Sequence, residues 1–486
     1  MTSAREWLGI AVVAAPLAGA VLACGVPRRL VQPAALLASV ATAAVSIALA
    51  AIALARPGQP FVGRWLVVDA AGGLLVVVIG VVGLASALAS PAYLRTAETS
   101  LVRPAYAPRL YYGGLALFQA TLLAVPLAGN LGAAWLLLEA TGAFSALLVG
   151  FSGKRRALEA AWKYLILTSL GLGVTLLGIA VLESATGSGR IGGLAWSAIA
   201  AAGPPRQSAL VAYALLLVGL GAKAGWAPVH NWLPDAHSEA PPPVSALLSG
   251  ALLPAVALVA WRVTDSLQGT IGAAAHQLLI GFGLASLAVA IPFLWRPLAW
   301  KRLLAYSSLE HMGVIVLGIG FGSPLALAGV VVHIAGHAAA KALGFYAATP
   351  LIEHLPQASR GAVSGLGRTE PTLGAAMGLS LAALSGMPPS PLFVSEVLVV
   401  AGGFSAGYAW AGVVTALLLA LGFLGLAHAL IEITAGKARR HRSPASGMSG
   451  MRVLVACTGA LLLCLAGASL WLPGSDIVAA LAQGLT

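Results

Sequence analysis

The residues of this chain best placed to do chemistry lie in one apolar stretch, VVHIAGHAAAKALGFYAA at 331–348, where His333, His337 and Lys341 recur every fourth position. On an α-helix that spacing stacks the three groups on one face over roughly 12 Å of rise. Their neighbours are almost all Ala, Val, Leu, Gly, Ile and Phe. An ionisable side chain at the centre of a bilayer-spanning helix costs about 2.5–3.5 kcal/mol. A ladder of three therefore reads as proton-exchanging groups lining a hydrated path. The competing reading is packing or capping histidines with a snorkelling lysine.

Other ionisable groups share such surroundings. Glu139 sits in AAWLLLEATGAFSALLVGF, Lys223 in LVGLGAKAGWAP, and Glu396 follows SGMPPSPLFVSE. Lys163, His230, Glu310 and His311 form a second tier. Lys163, in EAAWKYLILTSLG, lies near a span end and can snorkel; Glu310 and His311, in AYSSLEHMGVIV, serve equally as a cap or a proton entry. Burial lowers a lysine pKa and raises a glutamate pKa, while a nearby opposite charge pulls each back, so a buried Glu–Lys pair can act as a switch. Histidine titrates near neutrality and relays through two nitrogens. The loop HNWLPDAHSEAPPP brings His230, Asp235, His237 and Glu239 together without a recognised metal-ligand spacing. It reads as a rigid proline-rich re-entry capped by Asp235 or Ser238.

The elements that must hold these groups are membrane helices. Of 486 residues, 59% are hydrophobic and only 9% charged, against about 25% charged in a soluble domain. The net charge of +12 sits in short loops between apolar runs, a topogenic pattern rather than a nucleic-acid surface. Cys24, Cys457 and Cys464 lie inside apolar runs with no CxxC pair, so the chain offers no thiolate frame for an iron–sulfur cluster. No cofactor, resident metal or nucleophile constellation is expected. Glycine-rich pieces such as GIGFG at 318–322 read as helix packing. The N-terminal apolar run from Trp7 reads as a retained span, with no clear cleavage site.

Apolar runs give roughly fourteen spans, near 7–24, 31–55, 70–90, 111–128, 131–151, 160–182, 208–227, 243–262, 272–295, 303–321, 324–349, 372–402, 408–434 and 450–473. With that count, Arg5, Arg56, Arg64, Arg190, Arg206 and Arg262 fall on one side of the membrane and eighteen basic residues on the other. The bias puts both termini on the non-cytoplasmic side. The seventh and twelfth spans are broken, by Pro228 and by Pro388, Pro389 and Pro391; proline frees carbonyls at membrane depth. Spans four to eight and nine to thirteen are two five-helix sets, each with its broken helix fourth, and an odd count inverts the second set. Interrupted helices at matching places point to an inverted-repeat transporter site. The expected fold is all-α integral membrane, divided into 1–110 (three N-terminal helices), 111–262 (first repeat), 263–434 (second repeat) and 435–486 (C-terminal loop and last helix).

These stretches also carry a family likeness. GLGAKAGWAPVHNWLPDAHSEAPPPVSALLSG, LLAYSSLEHMG, HIAGHAAAKALGFYAA and EAAWKYLILTSLG resemble the antiporter-like membrane subunits shared by respiratory complex I, Mrp-type antiporters and group 4 [NiFe] hydrogenases. EAAWKYLILTSLG, KAGWAPVHNWLPDAHSEA and LEATGAFSALLVGF most resemble the hydrogenase-4 component F branch. The likeness covers roughly residues 65 to 435. It implies two inverted five-helix half-channels joined by a mid-membrane hydrophilic axis. Glu139 and Lys223 would be the fifth- and seventh-helix pair, His333, His337 and Lys341 the central relay, and Glu396 the terminal acid or base. Many pumping members carry a lysine after an SGxLL stretch; SGALLP puts Pro254 there. Hydrogenase-type members also tend to lack that lysine, and its absence leaves the step from Lys223 to the ladder open. A second departure is the absence of a long lateral helix after span fourteen.

The resulting expectation is a proton-translocating subunit of a redox-driven complex, without a redox centre of its own but part of an oxidoreductase or translocase of the hydrogenase or NADH:quinone oxidoreductase kind. It would sit in a bacterial or archaeal cytoplasmic membrane. Its partners would be other membrane subunits and, through them, redox subunits with Fe–S, NiFe or quinone chemistry. The ion moved is a proton or Na⁺. Two rivals stand: a subunit of a cation/proton antiporter, or membrane partner of an inorganic-carbon uptake system; and a non-pumping structural subunit.

Overall fold

The computed structural model describes residues 4–57, 59–63, 65–96, 106–187, 191–354, 363–437, 448–472 and 476. Among them the chain is nearly all helical: α1 (Ala4–Gly25), α2 (Arg28–Ala55), α3 (Ala70–Thr96), α4 (Ala107–Ala124), α5 (Leu131–Val149), α6 (Arg155–Thr186), α7 (Trp196–Ala202), α8 (Arg206–Ala224), α9 (Leu233–Glu239), α10 (Pro242–Leu247), α11 (Leu253–Ser266), α12 (Gln268–Leu294), α13 (Trp300–Phe321), α14 (Pro324–His354), α15 (Leu366–Thr369), α16 (Pro371–Leu384), α17 (Pro391–Ser405), α18 (Ala409–Ala435) and α19 (Met448–Ser469). A two-residue hairpin, β1 (Phe61–Val62) and β2 (Val67–Val68), precedes α3. Thirteen helical spans are long and apolar enough to cross a membrane, and the short apolar helices α16 and α17 together supply a fourteenth position. This is an integral membrane protein of about fourteen spans. Of the basic residues in the charge count, Arg64, Arg103, Arg190, Arg360, Arg439, Arg440 and Arg442 lie outside the described residues.

Burial sorts the helices. Those apolar all round must be buried in protein or face lipid. α11 and α13 are buried along nearly their whole length and α14 along most of its own, whereas α18 and α19 turn Leu, Ile and Val outward. The buried centre is therefore where the ladder lies. Serine and threonine inside spans return their hydroxyls to the preceding turn, as Ser46 does to Thr42 O (2.8 Å) and Thr168 to Tyr164 O (2.9 Å). With no water in the hydrocarbon, that satisfies the donor locally.

Both breaks have the same local design. After α8, Gly225 takes φ +70° and the Ala227–Pro228 bond is cis; after α16, Gly386 takes φ +71° and the Pro388–Pro389 bond is cis. Only glycine adopts that left-handed conformation without steric cost, so each helix stops there, and each glycine stands three residues before the second residue of the cis pair. The chain restarts at α9 and at α17, the latter capped by the Ser390 side chain on Phe393 N. Within Leu248–Leu252 the helix widens to a π-turn ahead of Pro254. Proline has no N–H to return to the preceding turn, and a π-turn absorbs the mismatch.

Arg262, assigned by sequence to a span end, is buried inside the protein. Its guanidinium reaches Asp69 Oδ2 at 2.7 Å and Pro126 O at 2.9 Å, and lies over the Trp196 ring. Asp69 Oδ1 accepts from Gly72 N in the first turn of α3 (2.6 Å). This ion pair ties the third helix to α11.

Candidate functional site

The α14 ladder is not self-contained. His333, His337 and Lys341 are fully buried, and α13 lays Glu310 and His311, also buried, against them. His311 Nδ1 stands 3.1 Å from His333 Nε2, and the His311 and His337 ring centres are 5.0 Å apart. His333 Nδ1 contacts Ser395 Oγ on α17 at 2.8 Å, one residue before Glu396. Lys341 donates to the Leu304 carbonyl at 2.5 Å and to Ser307 Oγ. Glu310 lies within electrostatic reach of Lys341 on one side and Glu396 on the other. Its Oε2 is buried without a hydrogen-bond partner, and Gly422 of α18 leaves room for the carboxylate. Glu396 is half-buried and faces Gly386 across the second break, where a β-carbon would stand 2.5 Å from its Oε2.

In the first half, Lys223 ends α8 fully buried. It does not touch Glu139. Its Nζ donates to Tyr164 OH at 3.2 Å, and that phenol also contacts Ser145 Oγ at 2.8 Å. Glu139, half-buried on α5, accepts from Ser169 Oγ at 3.0 Å, and its charge still acts on Lys223. The structure thus holds the pair in a separated arrangement with Tyr164 beside the lysine.

A line of ring contacts runs from Tyr164 to α14. Tyr164 packs on Trp232 (centroids 4.5 Å apart), Trp232 on His237 (6.5 Å), and His237 on Phe345 (5.4 Å, planes 18° apart). Phe345 is the next i+4 rung of the α14 ladder after Lys341. His237 is fully buried, both ring nitrogens lack a hydrogen-bond partner, and the charges of Lys341 and Lys301 act on it. Lys301, also buried, donates to the carbonyls of Ser238 (2.9 Å) and Ala240 and so pins the segment carrying His237.

Two second-tier residues stand apart. Lys163 is 37% exposed and pairs with Glu159 at 2.6 Å, beside Asp235 at 3.9 Å; it belongs to a polar cluster with Arg302, which reaches Asp235 at 3.2 Å. Asp235 is therefore an ion-pair partner rather than the expected cap, and Ser238 Oγ turns back to the Pro234 carbonyl (2.6 Å). α10 begins without a side-chain cap. His230 is half-buried in the first break, with Nδ1 unpartnered. Sequence reasoning missed Tyr164 and weighed His237 only within the loop cluster of His230, Asp235 and Glu239. Consecutive helical residues point about 100° apart, so only one of Lys163 and Tyr164 can face inward, and the seating of α6 makes it Tyr164. For His237 the available signal was an ionisable residue set between the tryptophan at 232 and three prolines in the stretch that follows the first break.

Comparison with known proteins fits this architecture. The family described as NADH:quinone oxidoreductase/Mrp antiporter, TM, matches residues 128–423. A hydrogenase-4 component F homolog of Methylacidiphilum infernorum (isolate V4) is 32% identical over 398 residues, covering 79% of this chain and 81% of that protein. A chain of the membrane-bound sulfane sulfur reductase, an archaeal respiratory membrane complex, superposes with a TM-score of 0.84 at 20% identity, covering 98% of this chain and 97% of its own. A chain of respiratory complex I from Thermus thermophilus does so with a TM-score of 0.76 at 26% identity, covering 98% and 100%. The chain belongs to the NADH:quinone oxidoreductase/Mrp antiporter transmembrane family.

Proposed function

We propose that this chain is the proton-translocating, antiporter-like membrane subunit of a redox-driven complex of the hydrogenase-4 or complex I-related type, in a prokaryotic cytoplasmic membrane with both termini outside. The observation that carries the reading is the buried run of side chains from Lys223 through Tyr164, Trp232 and His237 to the α14 ladder, and on to Glu310, His311 and Glu396. It passes between two helix breaks of the same design. That likeness of the breaks supports two inverted repeats, 111–262 and 263–434, between N-terminal helices in 1–110 and a C-terminal part from 435.

The proposed sequence starts with the Glu139–Lys223 pair. Electron transfer in partner redox subunits changes its spacing. Approach of Glu139 favours the charged lysine and separation favours its release of a proton. The released proton passes by His237 to Lys341, and the His337, His311 and His333 rings carry it towards Glu396. Tyr164 positions the Lys223 ammonium, and Ser395 orients His333. Trp232 Nε1 is occupied by the Ala222 carbonyl (2.7 Å), so Trp232 packs rather than carries. The redox chemistry is assigned to the partner subunits.

Glu139→Gln and Lys223→Ala variants of the intact complex, reconstituted in proteoliposomes, are expected to assemble and to lose proton translocation. Normal pumping by both removes the switch. The Mrp half of the family description favours a second reading, a cation/proton antiporter subunit; sodium-dependent proton exchange without electron transfer selects it.

A further inference from the structure

We propose that His311, His333 and His337 form a three-imidazole site for a divalent transition metal of the Zn²⁺ class, and that metal bound there blocks the ladder. The blocking half rests on the proton-pathway reading; the binding half does not.

The three side chains come from two helices, so no local sequence spacing announces them. One ligand atom from each lies within 4.8 Å of the others. A tetrahedral Zn²⁺ with bonds of about 2.0–2.1 Å sets its donor nitrogens about 3.4 Å apart. The His311 Nδ1–His333 Nε2 separation of 3.1 Å already fits. The ring centres, 5.1, 5.0 and 6.2 Å apart, approximate a trigonal face in which only His337 must swing inward. Neither of its ring nitrogens makes a well-formed hydrogen bond, so that swing gives up only an approach to the Ser249 backbone.

Tautomers are also prepared. Ser395 Oγ donates to the Leu392 carbonyl at 2.7 Å, so its remaining role is to accept from His333 Nδ1–H at 2.8 Å. That leaves the His333 Nε2 lone pair pointing inward. A second-layer partner of this kind fixes the ring orientation of metal-bound histidines. His311 Nδ1 then donates to His333 in the metal-free state. Moving that proton to His311 Nε2, which has no hydrogen-bond partner and lies beside the Leu384 carbonyl, frees the second inward lone pair. No net proton need leave the site.

Charge balance is supplied nearby. A divalent ion in a buried site needs opposite charge. Glu310 precedes His311, and Glu396 follows the serine that holds His333. Neutral imidazoles favour Zn²⁺, Cu²⁺, Ni²⁺ and Co²⁺, whereas Mg²⁺ and Ca²⁺ demand oxygen ligands. A water completes the fourth position.

The test uses the untagged full-length chain in nanodiscs. Equilibration with ZnCl₂, removal of free metal and elemental analysis are expected to give about one zinc per chain, with Co²⁺ producing the intense visible bands of four-coordinate geometry. His333→Ala and His337→Ala are expected to lose the zinc, and Ser395→Ala to weaken it about 10–100-fold. His276→Gln, outside the cluster, keeps it, and Mg²⁺ does not compete. Monodisperse elution of each variant separates lost binding from lost folding. Equal zinc in wild type and in both histidine variants, or no uptake by wild type, overturns the site. Stoichiometric zinc that leaves proton flux of the reconstituted complex unchanged keeps the site and overturns the role of the ladder in conduction.

Discussion

A β-carbon at residue 142 would stand 2.8 Å from the Lys223 ammonium: the glycine on α5 is the space into which the lysine of α8 reaches. Glu310 and Glu396 have the same kind of neighbour in Gly422 and Gly386. Three buried or half-buried ionisable groups thus each face a residue without a side chain, which leaves them volume in which to change position.

Gly142→Ala is expected to push Lys223 off Tyr164. Overpacking of this kind costs about 1–3 kcal/mol, and proton flux in proteoliposomes is expected to fall about tenfold, which corresponds to 1.4 kcal/mol. Gly173→Ala on α6, where a β-carbon meets nothing within 4 Å, provides the control and leaves flux unchanged. Equal rates in the two variants would show that the space is not needed.

His237→Phe keeps the aromatic stack between Trp232 and Phe345 and breaks no hydrogen bond, because neither ring nitrogen has one. Thermal stability is expected to change by less than about 1.5 kcal/mol, as for a volume-conserving swap, while proton flux is lost. Wild-type flux in a stably assembled variant would sever the proposed link between Lys223 and Lys341.

Tyr164→Phe and Lys163→Gln form a pair that separates neighbours in sequence. The first removes the acceptor of the Lys223 ammonium, costs about 0.5–1.5 kcal/mol in stability, and is expected to slow proton flux. The second removes an exposed ion pair worth about 0–1 kcal/mol and is expected to leave flux alone. The reverse ranking of rates would return Lys163 to the pathway.

Asp69→Ala leaves the Arg262 guanidinium buried and unpaired. Breaking a buried pair from one side costs about 3–5 kcal/mol, so the solubilised protein is expected to unfold at a markedly lower temperature. Adding Arg262→Met removes the stranded charge and is expected to recover part of the loss. A double variant less stable than Asp69→Ala would mean that Arg262 is held mainly by the Pro126 carbonyl and Trp196.

The sequence by itself determined the spans and the breaks. Hydropathy runs report a property of contiguous residues, and a bilayer demands about twenty of them in a row. All fourteen positions therefore reappear within several residues of where composition put them, and prolines at 228 and 388–391 marked both interruptions. The i, i+4 ladder was legible for the same reason, since helical periodicity fixes which residues share a face.

Contacts between helices were decided only by tertiary structure, because which faces meet depends on packing that no local pattern encodes. Nothing near residue 262 announces that Arg262 reaches back to Asp69, and nothing near Lys163 shows that Tyr164 is the residue turned inward. The interleaving of His311 between His333 and His337 needs α13 seated against α14. Nor does any local pattern show that His237, on the segment after the first break, stacks against Phe345, the next rung of the ladder.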